Sequence, residues 1–139
     1  MNRETVLREV LKAANTSIDS IKALESVNTD KQFSVALLEQ EKNYKELELK
    51  VKDISANEKG EVEDEGFLPK IMLWGQTKMK TIIDNSPSKL AEMLIQGANM
   101  GMISLTKIDN ALEPGVDRSL IEELQGAYNN TISSMRQYL

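Results

Sequence analysis

The spacing of the apolar residues constrains the fold of this 139-residue chain more than any other feature. Between residues 30 and 56, one row of positions recurs at alternating intervals of four and three, and it contains Phe33, Leu37, Gln40, Tyr44, Leu47, Val51 and Ile54. This spacing follows one stripe along an α-helix that packs against other helices. Gln40 and Tyr44 occupy positions where an apolar residue is expected. We expect their polar atoms to bond to each other or to residues 15–17 across a bundle.

The same periodicity predicts helices over about 3–26, 68–83, 87–112 and 117–138, in addition to 30–56. Residues 57–67 are polar and contain glycine, so they predict a linker. This linker is acidic, since four carboxylates lie within residues 61–65 of a chain whose net charge is −5. The period of two that is typical of half-buried strands does not occur.

These elements predict an all-α four-helix bundle formed by a single domain, residues 1–139. Very short connections make the first two helices one hairpin and the last two another. The helix predicted over 68–83 lies between the hairpins, in the crossover, and could carry the chain back along the bundle. The helices over 30–56 and 87–112 would then be parallel, which is the ferritin-like, up-down-down-up topology. The alternative is a plain up-and-down bundle of five helices.

Two glycines one turn apart, Gly97 and Gly101, lie on the buried stripe of the helix over 87–112. Each costs a helix about 1 kcal/mol relative to alanine, so they require a reason. Together they leave a notch without side chains, which we expect Tyr44 to fill. The alternative is a pocket in which Gly97, Gly101, Tyr44 and Gln40 hold a small ligand.

The composition excludes several chemistries. The chain contains neither cysteine nor histidine, so it has no thiol nucleophile, no imidazole base and no serine–histidine triad. Ferritin-like bundles often bind two metal ions through inward carboxylates and Glu-x-x-His motifs. Here the acids flank the buried stripes, so we predict no metal, no cofactor and no enzymatic activity.

The partners and the compartment are predicted from what the chain lacks. It has no basic stripe for nucleic acid and no apolar run of about 18–20 residues that could span a membrane. The N-terminal residues lack the apolar region of a signal peptide, which predicts a cytoplasmic protein.

The only tryptophan, Trp74, lies at the edge of the apolar face of the helix predicted over 68–83, near Phe67 and Lys78. It either covers the end of the core or anchors a contact with another protein, because tryptophan is enriched at interface hot spots.

Two long runs, FSVALLEQEKNYKELELKVKDI (33–54) and NSPSKLAEMLIQGANMGMISLTK (85–107), together with the terminal SSMRQYL, resemble an uncharacterised family of small helical proteins from Gram-positive bacteria. The resemblance implies a ferritin-like bundle and a bacterial cytoplasmic origin. It implies no activity and no required metal site.

Three functions follow from these observations as hypotheses. The first is a non-enzymatic bundle that acts by protein–protein contact or as a structural module, as a homodimer. The second is a bundle that binds a small molecule in the notch at Gly97 and Gly101. The third and weakest is a ferritin-like metal protein.

Overall fold

A computed structural model describes residues 1–58 and 84–139 of the chain, and this part is built from four helices without any strand. They are α1 (Arg3–Val27), α2 (Lys31–Glu58), α3 (Pro87–Asn110) and α4 (Ser119–Arg136). The all-helical prediction is therefore confirmed for the described residues. The helix predicted over 68–83 lies outside them, and so do Phe67, Trp74 and Lys78.

Polar side chains fix where three of these helices begin. The Asn2 side chain accepts a hydrogen bond from the Thr5 backbone nitrogen at 2.9 Å, and the Asp30 carboxylate accepts one from the Phe33 nitrogen at 2.9 Å. Ser86 caps α3, and Pro87 follows as its first residue. Such caps satisfy backbone N–H groups that have no partner within the helix.

The predicted ends of three helices were wrong by two residues. Asn57 and Glu58, assigned to the linker, belong to α2. The α3 helix ends at Asn110, with Ala111 as its C-cap. The chain then turns at Gly115, whose φ of 85° suits a residue without a side chain. The α4 helix begins at Ser119, whose backbone nitrogen donates to the Asp117 carboxylate at 2.9 Å. It ends at Arg136 and not at 138.

The core lies along the shared axis of the four helices. Each helix contributes large side chains that solvent barely reaches, among them Val10, Phe33, Leu90 and Ile121. Burial of apolar surface of this kind is the main force that holds a bundle together. The stripe predicted over 30–56 is buried from Phe33 to Val51, and Ile54 at its end is partly buried.

Contacts between the helices fix their directions in pairs. The start of α1 lies at the end of α3, since the Met1 amino group donates to the Ala111 carbonyl at 2.7 Å. The end of α1 lies at the start of α3, where the Asn85 amide donates to the Val27 carbonyl at 2.8 Å. These two helices are therefore antiparallel.

The second cross-bundle pair, α2 and α4, is also antiparallel. Early in α2, the Phe33 ring meets Tyr138, which follows α4, at a centroid distance of 5.0 Å. Late in α2, Lys50 forms an ion pair with Glu123, near the start of α4. A hairpin contact between the side chains of Ser34 and Glu25 joins α2 to α1. Within residues 1–58 and 84–139, no helix combines the length and the apolar character needed to cross a bilayer.

Candidate functional site: a polar layer and the groove beside it

A layer of polar side chains crosses the middle of the bundle. We call it the polar layer, and its members are Ser17 on α1, Gln40 and Tyr44 on α2, and Tyr128 and Thr131 on α4. Apart from Ser17, which is half-buried, these side chains are 5% exposed or less. Buried polar groups of this kind destabilise a fold unless they bond to one another.

Hydrogen bonds connect the side chains of α2 and α4 in the layer. The Thr131 hydroxyl donates to the Gln40 Oε1 atom at 2.8 Å, and the Gln40 Nε2 atom donates to the Asn130 Oδ1 atom at 3.0 Å. The Tyr44 hydroxyl lies 2.7 Å from the Thr131 hydroxyl. The Ala127 carbonyl oxygen lies 3.1 Å from the Thr131 hydroxyl and 3.4 Å from the Tyr44 hydroxyl, so both hydroxyls have this acceptor as well. The prediction that Gln40 and Tyr44 bond to each other or to residues 15–17 was wrong for Gln40, whose partners are Thr131 and Asn130 on α4. Tyr44 bonds chiefly to Thr131, with Ser17 as a weaker partner.

Burial keeps both tyrosines of the layer neutral. It raises the pKa of Tyr128 to about 12, and a hydrogen bond with Ser17 acts weakly in the opposite direction. Burial also raises the pKa of Tyr44 well above its usual value, although the bond to Thr131 lowers it. Neither hydroxyl can serve as a base near neutral pH.

The notch at Gly101 is filled by Tyr128, and the prediction that Tyr44 fills it was wrong. A Cβ atom at position 101 would stand only 2.6 Å from the Tyr128 hydroxyl oxygen. Tyr128 reaches the notch because α3 and α4 are hairpin neighbours. The Tyr44 ring packs against the Tyr128 ring at a centroid distance of 5.9 Å.

The Tyr128 side chain lies between Gly101 and Tyr44, two residues of the predicted pocket. The Tyr128 ring occupies the space at Gly101 that the alternative hypothesis assigned to a ligand, while Gln40 and Tyr44 bond to Thr131. Gly97 is half-buried one turn earlier in α3.

A groove opens at the surface beside the polar layer, between α2 and α4. Its volume is about 480 Å³, and eight residues line it: Asn43, Glu46, Leu47, Lys50, Glu123, Gly126, Ala127 and Asn130. A Cβ atom at Gly126 would meet nothing within 4 Å, so this glycine leaves part of the groove open. The ion pair between Lys50 and Glu123 bridges the two helices at one end.

Asn130 connects the groove to the polar layer. Its Oδ1 atom accepts the bond from Gln40 and a second one, at 3.3 Å, from the Nδ2 atom of Asn43. Neither Asn130 nor Thr131 was predicted from the sequence. One signal was available for Thr131, because it continues the row of Leu124 and Tyr128 toward Met135 at intervals of four, three and four.

The side chains that commonly bind metal ions do not form a cluster in the part of the chain that the structure describes. No three or more carboxylate, imidazole or thiol side chains converge there in a way that could hold a metal ion.

Comparisons with known proteins do not assign a function to the polar layer or to the groove. No protein-family model, no curated protein and no solved structure matches the chain. The resemblance to a Gram-positive helical family therefore stays a prediction from the sequence.

Proposed function

We propose that this protein is a non-enzymatic bundle of ferritin-like, up-down-down-up topology that acts through protein–protein contact, and that it forms a homodimer through the outer face of α2. The proposal includes a bacterial cytoplasmic setting, which rests on the resemblance of residues 33–54 and 85–107 to a bacterial family. It includes no nucleic-acid partner, because the net charge is −5.

The antiparallel pairing of α1 with α3 and of α2 with α4 supports this topology. The short connection between α1 and α2 also makes these two helices antiparallel. Because α1 is antiparallel to both α2 and α3, α2 and α3 point in the same direction. Two consecutive parallel helices require one long crossover, and residues 59–86 supply the chain length for it.

The polar groups of the polar layer are bonded and the notch at Gly101 is filled, which favours a function at the surface. The side chains of the polar layer bond to one another and to Asn130, and the Tyr128 ring fills the notch at Gly101. A layer that is satisfied in this way fixes the register of the helices, as polar core residues do in helical assemblies.

The exposed apolar row on α2 is the observation that carries the proposal. Val35, Leu38 and Leu49 lie on the side of the helix opposite its buried stripe, and they are 67%, 52% and 65% exposed. Helical spacing aligns them along one face. Large apolar side chains gathered on one face favour a contact with another protein.

A second copy of the chain suits this row because the row is nearly symmetric. Val35 and Leu49 stand seven residues before and seven residues after Lys42. If a twofold axis passes beside Lys42, antiparallel α2 helices bring Val35 of one copy to the partner's Leu49, and Leu38 lies close to the same leucine. Such self-matching patches are what a twofold dimer requires.

The charges at the centre of the row also suit a second copy. Lys42 lies beside Glu46 on its own helix, with 4.0 Å between the Nζ and Oε1 atoms. In the twofold arrangement the two Lys42 side chains face each other across the axis, and each also approaches the partner's Glu39 and the partner's Glu46, whose charges offset that repulsion. Exposed ion pairs contribute little to affinity, so their part is to select the register of the two helices.

Sedimentation equilibrium over a range of protein concentrations tests the dimer. We expect the wild-type protein to sediment as a dimer and the variant with Leu38→Glu and Leu49→Glu to sediment as a monomer with unchanged helical content. Ile103→Glu is the matched control, because Ile103 is 59% exposed on α3. A dimer that survives the double substitution, or that is lost equally in the control, would overturn the assignment to α2.

A further inference from the structure

We infer that residues 59–83 dock on the outer face of α1 in the same chain, with their apolar side chains toward that helix. The outer face is the side of α1 that points away from the core, and its members are Glu9, Lys12, Thr16, Ser20 and Ala23. This surface is distinct from the proposed dimer face on α2.

The outer face lies opposite the buried apolar stripe of α1. Leu7, Ala14 and Ile18 belong to that stripe and are buried in the core of the bundle. Thr16 follows Leu7 by nine residues and Lys12 by five, so helical geometry places them about 180° and about 140° around the axis from it.

The outer face is covered although it points away from the core. Lys12 is 5% exposed and Thr16 is 6% exposed, while Glu9 and Ser20 are half-buried. A lysine on the free side of a bundle helix is normally solvated. Burial also raises the pKa of the Glu9 carboxyl group, against the smaller opposing effect of the charges on Lys12 and Arg8. Another part of the chain therefore lies on this side of α1.

The corresponding side of α4 provides a comparison. Gly126 and Ser133 lie on the side of α4 opposite Tyr128, and both are exposed. The outer sides of α2 and α3 are open as well, as the exposure of Leu38 and Ile103 shows. Among the four described helices, α1 alone has a covered outer side.

The points at which the described chain stops and resumes also favour α1. The chain leaves α2 at Glu58, at the end of the bundle where α1 and α4 begin. It returns at the other end, where the Asn85 amide donates to the carbonyl of Val27, the last residue of α1. A helix of 25 residues is about 38 Å long, close to the length of α1 itself, so residues 59–83 suffice to follow α1 from one end to the other.

The apolar pattern of the segment suits a helical surface. Leu68, Ile71, Gly75, Met79 and Ile82 follow one another at intervals of three and four, which predicts one apolar side of a helix. The outer face of α1 offers small side chains over its second half, and small residues at a contact let two helices approach closely.

The charges favour the same placement. The segment enters beside the start of α1 with its acidic run, which has four carboxylates within residues 61–65. Residues 3–12 of α1 carry three basic and two acidic side chains, and two of the basic ones are Arg8 and Lys12. The excess of basic groups attracts the acidic run to this half of the helix.

Energy transfer from Trp74 tests the docking in the full-length protein. Trp74 is the only tryptophan and the chain has no cysteine, so a dansyl group on one introduced cysteine is a unique acceptor. Asp19→Cys places it beside the outer face of α1, and Ser133→Cys places it on the outer side of α4. Both positions are exposed, and they lie sixteen and fourteen residues after the starts of their helices at the same end of the bundle.

We expect transfer to the α1 label to be about twofold or more as efficient as transfer to the α4 label, because packed helices stand only about 8–10 Å apart. An excess of unlabelled protein should leave the transfer unchanged. Equal transfer to the two labels, or more to the α4 label, would overturn the inference. Transfer that disappears in the excess would overturn it too, because the segment of a second copy would then cover α1.

Two variants test the apolar contact. Ile71→Glu together with Ile82→Glu should lower transfer to the α1 label by about twofold or more, because a buried, unpaired carboxylate is costly. Thr77→Glu, on the opposite side of the predicted helix, should leave it unchanged. Circular dichroism checks that α1 to α4 persist. Unchanged transfer in the double variant would contradict the apolar docking, and the comparison of the two labels decides the inference even if that variant does not fold.

Discussion

The ring of Tyr128 lies so close to Gly101 that no larger residue fits at position 101 while the ring keeps its place. A Cβ atom there would stand 2.6 Å from the tyrosine hydroxyl oxygen, well inside ordinary contact distance. Tyr128 cannot easily withdraw, because it is 5% exposed and its ring packs against the Tyr44 ring. The glycine and the tyrosine therefore set how closely α3 and α4 approach at the polar layer.

Gly101→Ala should destabilise the protein by about 1–3 kcal/mol, because overpacking the core exceeds the gain in helix propensity. Urea unfolding followed by circular dichroism measures the change. Gly126→Ala is the matched control, since its Cβ atom meets nothing within 4 Å, and it should stabilise α4 by up to about 1 kcal/mol. Equal stability of the two variants would show that Tyr128 can move aside.

Gly115→Ala should destabilise the protein although the new methyl group meets no other atom. The φ of Gly115 is 85°, a left-handed conformation that costs an L-residue about 1–2 kcal/mol. Gly115→Asn should cost less, because asparagine tolerates this region better. The same unfolding measurement separates the two variants, and an unaffected alanine variant would refute the assigned backbone conformation.

Thr131→Val should cost about 1–3 kcal/mol. The substitution keeps the shape of the side chain but removes the hydroxyl that bonds to both Gln40 and Tyr44 in the core. Adding Tyr44→Phe should then cost less than it does in the wild-type protein, because its partner is already gone. A double-mutant cycle measures this coupling, and additive effects would contradict the shared hydrogen bond.

Stability should fall steeply as the pH rises above 10. Tyr128 has a pKa of about 12 in the folded protein against a normal value of 10.0, so the unfolded chain loses its proton first. The folded state then binds more protons than the unfolded state, and the free energy of unfolding decreases with pH. Tyr128→Phe should flatten this decrease between pH 10 and 12. Tyrosinate absorbance together with urea unfolding provides the measurement, and identical slopes for both proteins would contradict the burial of the hydroxyl.

The sequence predicted the helices and their buried faces well, but it did not predict which side chain fills the notch at Gly101. The alternation of four and three from Phe33 to Val51 identified the buried stripe of α2, because that spacing has one structural solution. It also identified Gly101 as a notch. It could not say that Tyr128 and not Tyr44 enters the notch, since that depends on which helices stand side by side.

The groove could not be predicted for a related reason. Gly126 lies on the exposed side of α4, where a single glycine has no periodic signal, and Asn43 and Asn130 come together only through the packing of α2 on α4. Thr131 was within reach of prediction, because it stands in the buried row of α4. A threonine in such a row, facing Gln40 and Tyr44, indicates a polar layer.

Native mass spectrometry of the gently purified protein tests the central claim of a homodimer most directly. The proposed pairing of α2 helices predicts a dominant species of two chains, each of 15.6 kDa, at micromolar concentration. It also predicts that Leu38→Glu together with Leu49→Glu converts this species to single chains. A wild-type protein that remains a single chain at that concentration would contradict the proposed homodimer.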